Sequence, residues 1–393
     1  MKARVERFHI NIHDSVLEDL RDRLGQARLP SQIDGAGWTY GTDREYLDEL
    51  LDYWHDHFDW RAVEARLNAY ENFLVDIDGL RVHFIHRRSP HEGALPLVIT
   101  HGWPGSVLEF LKIIDPLADP VAHGGSAEDA FHVVCPSIPG YGFSEAPRRA
   151  GFDVKRVAET VAHLMSTLGY ERYGAQGGDW GAMVSSYLGR IDSEHCCGIH
   201  LNMVPVPRPP DDELSSLSES EMASLEEARK TMREKTGYQA IQSTRPQTLG
   251  YALNDSPAGL AAWIVEKFQE WSDCDGDVGR RFTKDELLAN ITLYWVTETI
   301  TSSMRLYYES RASGRFGPVA ERVWVPTGCA IFPREMYKPP RRWAEAVYNV
   351  VHWKEMAAGG HFAAMEEPEA LVTDIRDFFR KVRPRAKKRS EGD

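Results

Sequence analysis

No stretch of this sequence stays apolar for the roughly 20 residues that a membrane-crossing helix needs. The opening MKARVERFHINIHD carries a charge every few positions and lacks the apolar run of a secretory leader. The reading is a soluble, cytoplasmic protein without a membrane anchor. A basic surplus is missing as well: 46 Lys and Arg stand against 59 Asp and Glu, a formal net charge of −13. Such a charge repels phosphate backbones and argues against nucleic acid as a partner, which leaves small neutral ligands. Cysteine is scarce. The five residues (Cys135, Cys196, Cys197, Cys274, Cys329) are odd in number and form no Cys-x-x-Cys pair, so buried thiols are expected rather than disulfides or a zinc site. No internal repeat is present, and no Gly-x-Ser-x-Gly, the usual seat of a serine nucleophile.

What the chain does contain is enough apolar material for a sizeable core. With 42% hydrophobic residues over 393 positions it can build one large domain with insertions or two ordinary ones. Residues 1–72 read as a helical N-terminal arm: Asp14 resembles an N-cap before SVLEDLRDRL, and Leu47, Leu50, Leu51 and Trp54 recur at helical spacing. From Phe73 the pattern turns to strands. FLVDIDGLRVHFIH alternates about the hairpin signal Asp78-Gly79, and PLVITHG is a short buried-strand run. FHVVCPSIPG, RYGAQGGDW and CCGIHLNMVPV then alternate with helical stretches, which predicts a parallel sheet with crossover helices over 73–206. Residues 207–319 break that rhythm with a Pro-rich joint, an acidic helical piece and helices rich in Trp and Tyr, a helical lid inserted into the core. The core resumes over 320–382 with RVWVPTGCAIF, VVHWKEMAAGGHF and a closing amphipathic helix; 383–393 is a charged tail.

One short stretch decides the chemistry. In Gly177-Gly178-Asp179-Trp180-Gly181 an aspartate fills the centre of a small-x-nucleophile-x-small turn between a strand and a helix. An Asp after two glycines also reads as an ordinary helix N-cap. Its companions favour chemistry. His101-Gly102-Trp103-Pro104 follows the upstream strand where a backbone N–H would face the turn, so the Trp103 and Trp180 amides are candidates for an oxyanion hole. His361 in GGHFAAMEE precedes the last helix, and Glu335 in CAIFPRE follows the strand before it. The chain order nucleophile, acid, histidine is that of the α/β hydrolases. A carboxylate nucleophile is ionised near neutrality and yields an ester that water can cleave, whereas serine attack on an sp³ carbon would leave a stable ether.

Taken together, HGWPGS, GGDWG, ALNDSPAGLAAWI, LYWVTETITSS, VPTGCAIFPRE and GGHFAAMEEPE resemble the epoxide hydrolases of the α/β-hydrolase superfamily, specifically the microsomal branch. The likeness extends to the N-terminal LRDRLGQARLP and GAGWTYGTDREYLDELLDYW. It implies an α/β-hydrolase fold with a helical lid and an N-terminal extension. It also implies Asp179 as nucleophile, His361 as base with Glu335 as its partner, and Tyr238 and Tyr307 as lid tyrosines that hold the epoxide oxygen. Tyr308, adjacent to Tyr307, is the other reading of the second tyrosine. No cofactor or metal is implied. The partner is a small epoxide, apolar or aromatic, with a homodimer left open, and the role lies in detoxification or secondary metabolism. Membrane-bound members of this branch carry an N-terminal anchor, and a start at VERFHINIHDSVLEDL suggests the soluble bacterial type. Two rivals stand beside this reading: a haloalkane or haloacid dehalogenase using the same Asp179 and His361, and a hydrolase-fold receptor that has lost catalysis.

Overall fold

A computed structural model of the chain describes residues 4–207, 217–319 and 321–383. Most of the predicted charged tail, and the segment joining the Pro-rich joint to the acidic helix, lie outside the described residues.

The described residues build one nine-stranded sheet. Its strands are β1 (Val5–Phe8), β2 (Asn72–Ile77), β3 (Leu80–Arg87), β4 (Leu95–Thr100), β5 (Phe131–Pro136), β6 (Tyr173–Gly177), β7 (Cys196–Leu201), β8 (Val323–Ile331) and β9 (Tyr348–Glu355), in the order β1-β2-β3-β5-β4-β6-β7-β8-β9. The first three are antiparallel neighbours, β3 meets β5 antiparallel, and β5, β4, β6, β7, β8 and β9 run parallel. Asp78 and Gly79 turn the β2–β3 hairpin with φ of 55° and 81°, both in the left-handed region that a two-residue hairpin requires. The inner strands are buried along their whole length because helices cover both faces, so they show apolar runs rather than alternation.

Alternate side chains of these strands feed two cores. Val98, Val134, Ala175 and Ile199 face one side, where α5 (Val154–Thr167) and α6 (Asp179–Ile191) pack; Leu97, Ile99, Val133 and Cys135 face the other, against α4 (Ile114–Ala118) and α15 (Pro368–Val382). All five cysteines are buried and unpaired.

The N-terminal arm contains α1 (Asp14–Gly25), α2 (Arg44–Asp56) and α3 (Trp60–Asn68), and α2 buries Leu47, Leu50, Leu51 and Trp54 as its spacing predicts. Two details differ from the sequence reading. The cap of α1 is His13, whose ring accepts from the Ser15 amide, and Asp14 is the first helical residue. The arm is also not wholly helical: Val5–Phe8 form an edge strand whose pairing with β2 spans more than sixty positions of chain and leaves no local signal.

Between β7 and β8 lie α7 (Glu219–Glu234), α8 (Gly237–Gln242), α9 (Pro246–Asp255), α10 (Pro257–Trp271), α11 (Lys284–Val296) and α12 (Ile300–Ala312). Ser218 with Glu221, and Thr283 with Glu286, close capping boxes at the starts of α7 and α11. Asn290 and Tyr294 of α11 hydrogen-bond Ser106, Pro104 and Gly105, which seats this helical layer on the loop after β4. After β8 come α13 (Arg341–Val347), then β9 and α14 (Ala363–Glu366) ahead of the closing α15.

Candidate active site

The turn from β6 into α6 holds Asp179 at φ 46°, a left-handed conformation uncommon for a residue with a side chain and a form of strain that clusters at functional sites. The residues two positions away on each side must be glycine. A Cβ on Gly177 would stand 2.2 Å from the Gly181 carbonyl carbon, and one on Gly181 would stand 1.8 Å from the Thr100 oxygen. Gly102 admits the aspartate itself, since a Cβ there would fall 2.2 Å from Asp179 Oδ1.

One oxygen of the Asp179 carboxylate is held by a backbone amide and the other faces His361. The Trp103 amide donates to Oδ1 at 2.8 Å, and His361 Nε2 stands 3.6 Å from Oδ2. The Trp180 amide lies in the first turn of α6, where N–H groups have no intrahelical acceptor and face whatever lies before the helix. His361 Nδ1 lies 3.0 Å from each Glu335 oxygen, and the His361 amide donates to the Trp271 carbonyl at 2.9 Å. Glu335, on the loop beyond β8, is held in turn by the Met336 amide at 2.7 Å. Both side chains are buried. Burial alone would lower the imidazole pKa; the Glu335 and Asp179 carboxylates outweigh it and hold the pKa well above its usual value.

The tyrosines arrive from the lid. Tyr238 in α8 stacks on the Trp103 ring at 5.3 Å, and Tyr307 in α12 sets its ring edge against Trp180 at 4.8 Å. Their own rings are 6.1 Å apart. Both are buried, whereas Tyr308 is 43% exposed on the far side of the same helix. Burial first, and then the Asp179 charge among other causes, pushes both phenols up, so they stay protonated and able to donate.

The structure thus brings Asp179, His361, Glu335, Tyr238, Tyr307, Trp103 and Trp180 into one cluster. Of the lid aromatics that could line a pocket, Trp271 reaches it, 5.1 Å from His361 and 5.2 Å from Tyr238. Phe268 stacks on Phe362, Tyr294 bonds the Gly105 carbonyl and Trp295 lies under Arg23, so these three pack lid on core and arm, while Trp263 bonds Gln242 within the lid. A cleft of about 600 Å³ between α7 and the Glu335 loop is lined by Trp271, Glu335 and Met336.

Two residues near the site were missed from the sequence. Lys267 is buried with its ammonium 4.8 Å over the Tyr238 ring and paired with Glu266; its place on the stripe of Ile264, Phe268 and Trp271 was the available signal. Glu109, an acid in the otherwise apolar VLEF that follows HGWPGS, lines the cavity behind Asp179 and His361.

A mixed sheet with this strand order, an acid on the strand-to-helix turn and a histidine and carboxylate from later loops define an α/β hydrolase. Residues 96–241 match the family described as alpha/beta hydrolase fold, and residues 5–110 match Epoxide hydrolase N terminus. Epoxide hydrolase 1 of Sus scrofa is 42% identical over 402 residues, covering 95% of this chain and 88% of that protein. The crystal structure of juvenile hormone epoxide hydrolase from the silkworm Bombyx mori superposes with a TM-score of 0.89 at 33% identity, over 97% of this chain and 95% of that one. Aspergillus niger epoxide hydrolase gives 0.86 at 33% identity, over 97% of each chain. The chain belongs to the epoxide hydrolase family of α/β hydrolases. No helix among the described residues is long and apolar enough to cross a membrane.

Proposed function

We propose that the protein opens small apolar epoxides to vicinal diols in two steps, through a covalent ester on Asp179. The observation that carries this reading is the identity and setting of the turn residue: a carboxylate with Oδ1 on the Trp103 amide and Oδ2 turned toward His361. In the first step Oδ2 attacks an epoxide carbon, the C–O bond of the ring breaks, and the alkoxide takes a proton from Tyr238 or Tyr307. The walls around it, Trp103, Trp180 and Trp271, favour an apolar or aromatic substituent.

Esterification also prepares the second step. It removes the Asp179 charge, one of the two carboxylates that raise the His361 pKa. The imidazole then yields its proton to the tyrosinate and becomes a base, with Glu335 fixing its orientation. Water attacks the ester carbonyl, His361 takes the water proton, and the Trp103 and Trp180 amides receive the developing oxyanion. Collapse releases the diol and restores the carboxylate.

A single turnover with styrene oxide in H₂¹⁸O tests the route, compared with Asp179→Asn. Label entering Asp179 of the wild type, with diol formation lost in the variant, is the expected result. Label in the first-turnover diol would mean direct attack by water and would overturn the mechanism; halide release from chloroalkanes without epoxide turnover would turn the assignment to a dehalogenase.

A further inference from the structure

Behind Asp179 and His361 lies a narrow cavity of about 20 Å³, room for about one water molecule. Its lining sets buried polar side chains beside apolar ones such as Phe110, Phe362 and Leu371. Thr100 and Gln176 both face it and are almost fully buried, yet Thr100 Oγ1 and Gln176 Oε1 meet no hydrogen-bond partner among the described residues. Gln176 is held in place through its amide nitrogen, which donates to Asn202 Oδ1 at 2.8 Å. Buried polar atoms left without partners mark a place for an ordered water.

The same cavity is lined by Glu109. Its carboxyl lies against the Cα of Gly105, where any Cβ would fall 1.5 Å from Oε1, and the Gly102 and Ser106 amides face it. Among the described residues no lysine or arginine forms an ion pair with it. Burial pushes this carboxyl up to about 8, with His361 opposing and Asp179 adding. Near neutrality it is therefore an uncharged acid with one O–H to donate and a carbonyl oxygen to accept, the pair of contacts that fixes a water molecule. An enclosed carboxyl without a cationic partner costs stability, which the two backbone amides offset only in part.

We propose that Glu109, together with Thr100 and Gln176, holds the water that hydrolyses the Asp179 ester, and so acts as a positioning residue for the second step. The inference rests on the ester route above. The water oxygen bonds to the Asp179 carbonyl carbon and its proton passes to His361. The bond from that carbon to the diol oxygen breaks, and the diol oxygen takes its proton from His361. Glu109 neither gains nor loses a proton in this sequence.

The test resolves the two half-reactions. Wild type, Glu109→Ala and Glu109→Gln are mixed with the epoxide that wild type turns over fastest in a panel headed by styrene oxide, quenched at intervals and weighed intact. In Glu109→Ala the ester should form within about twofold of the wild-type rate but decay on the order of tenfold more slowly, so that it accumulates. Glu109→Gln, which keeps an uncharged donor and acceptor, should restore decay to within about threefold of wild type. Ester formation at the wild-type rate also certifies an intact fold. Decay at the wild-type rate in Glu109→Ala would overturn the proposal, as would equal slowing of both steps in the two variants. Absence of any ester in wild type, with label going straight into the diol, would instead remove the ester route itself and the inference with it.

Discussion

His361 Nε2 stands 3.6 Å from Asp179 Oδ2, beyond hydrogen-bond reach, while its Nδ1 is held by Glu335 at 3.0 Å. A serine would need that imidazole in contact to take its proton; a carboxylate does not, because it is ionised already. The spacing suits a histidine that works on water rather than on the nucleophile. His361→Gln should therefore still form the Asp179 ester but hydrolyse it about 10²-fold more slowly or worse. Mass analysis after mixing with epoxide checks this: a stable adduct is expected, and an unmodified protein that has lost both steps would contradict the assignment.

On the proposed route Glu335 sets how strong a base His361 is. Burial lowers the imidazole pKa, and the Glu335 carboxylate opposes it. In the esterified enzyme Asp179 no longer contributes, so Glu335→Gln leaves burial with little opposition and the pKa must fall. The acid limb of kcat should move to lower pH, and the plateau should drop on the order of tenfold because a weaker base takes the water proton. A limb that moved upward would show that Glu335 does not act through the imidazole charge.

Tyr238 and Tyr307 are predicted to act before the ester exists. Each phenol removed, as Tyr238→Phe or Tyr307→Phe, should slow ester formation about 10- to 100-fold, with the ester that does form decaying normally. Tyr308→Phe should change neither rate, since that side chain faces solvent. Loss of alkylation in Tyr308→Phe with none in Tyr307→Phe would reverse the assignment within this helix.

The framework of the site is legible in the sequence because its parts sit at strand ends, where local signals are strong. Gly177 and Gly181 bracket Asp179 for steric reasons that depend on neighbouring backbone, and Gly102 sits beside the same residue. Trp103, Glu335 and His361 each follow a run that reads as a buried strand. The lid is less readable. Its helices are buried on several sides, so aromatic spacing does not say which ring faces the substrate, and Trp271 is separated from Phe268 only by how the lid docks. Tyr307 and Tyr308 are one residue apart, and only helix rotation against Trp103 and Trp180 separates them. Glu109 and Lys267 show in the sequence only as charges within apolar stretches, and such residues are ordinarily expected to reach water.

The last prediction concerns stability on the opposite side of the sheet from α6. Asp374 of α15 is fully buried and accepts from His200 Nε2 of β7 at 2.9 Å and His352 Nε2 of β9 at 2.7 Å, tying the closing helix to two parallel strands. Burial alone would raise its pKa; hydrogen bonds and charge from the two histidines outweigh this and hold it below the usual carboxylate range. A carboxyl depressed in the folded state contributes stability that is fully present above its unfolded pKa, about 3.9, and is lost as pH falls toward the folded value. Wild type should therefore weaken steadily on acidification below about pH 5. Asp374→Asn should be less stable at pH 7 by about 3 kcal/mol, because it removes the buried charge and sets an NH₂ donor against one of the two histidines while its one remaining oxygen serves the other, and should lack that part of the acid dependence. Denaturant unfolding at about pH 7 and about pH 2.5 measures both. The gap between the two proteins should narrow at the lower pH, and a gap that widened there would mean that Asp374 is protonated in the native state and stabilises by shape alone.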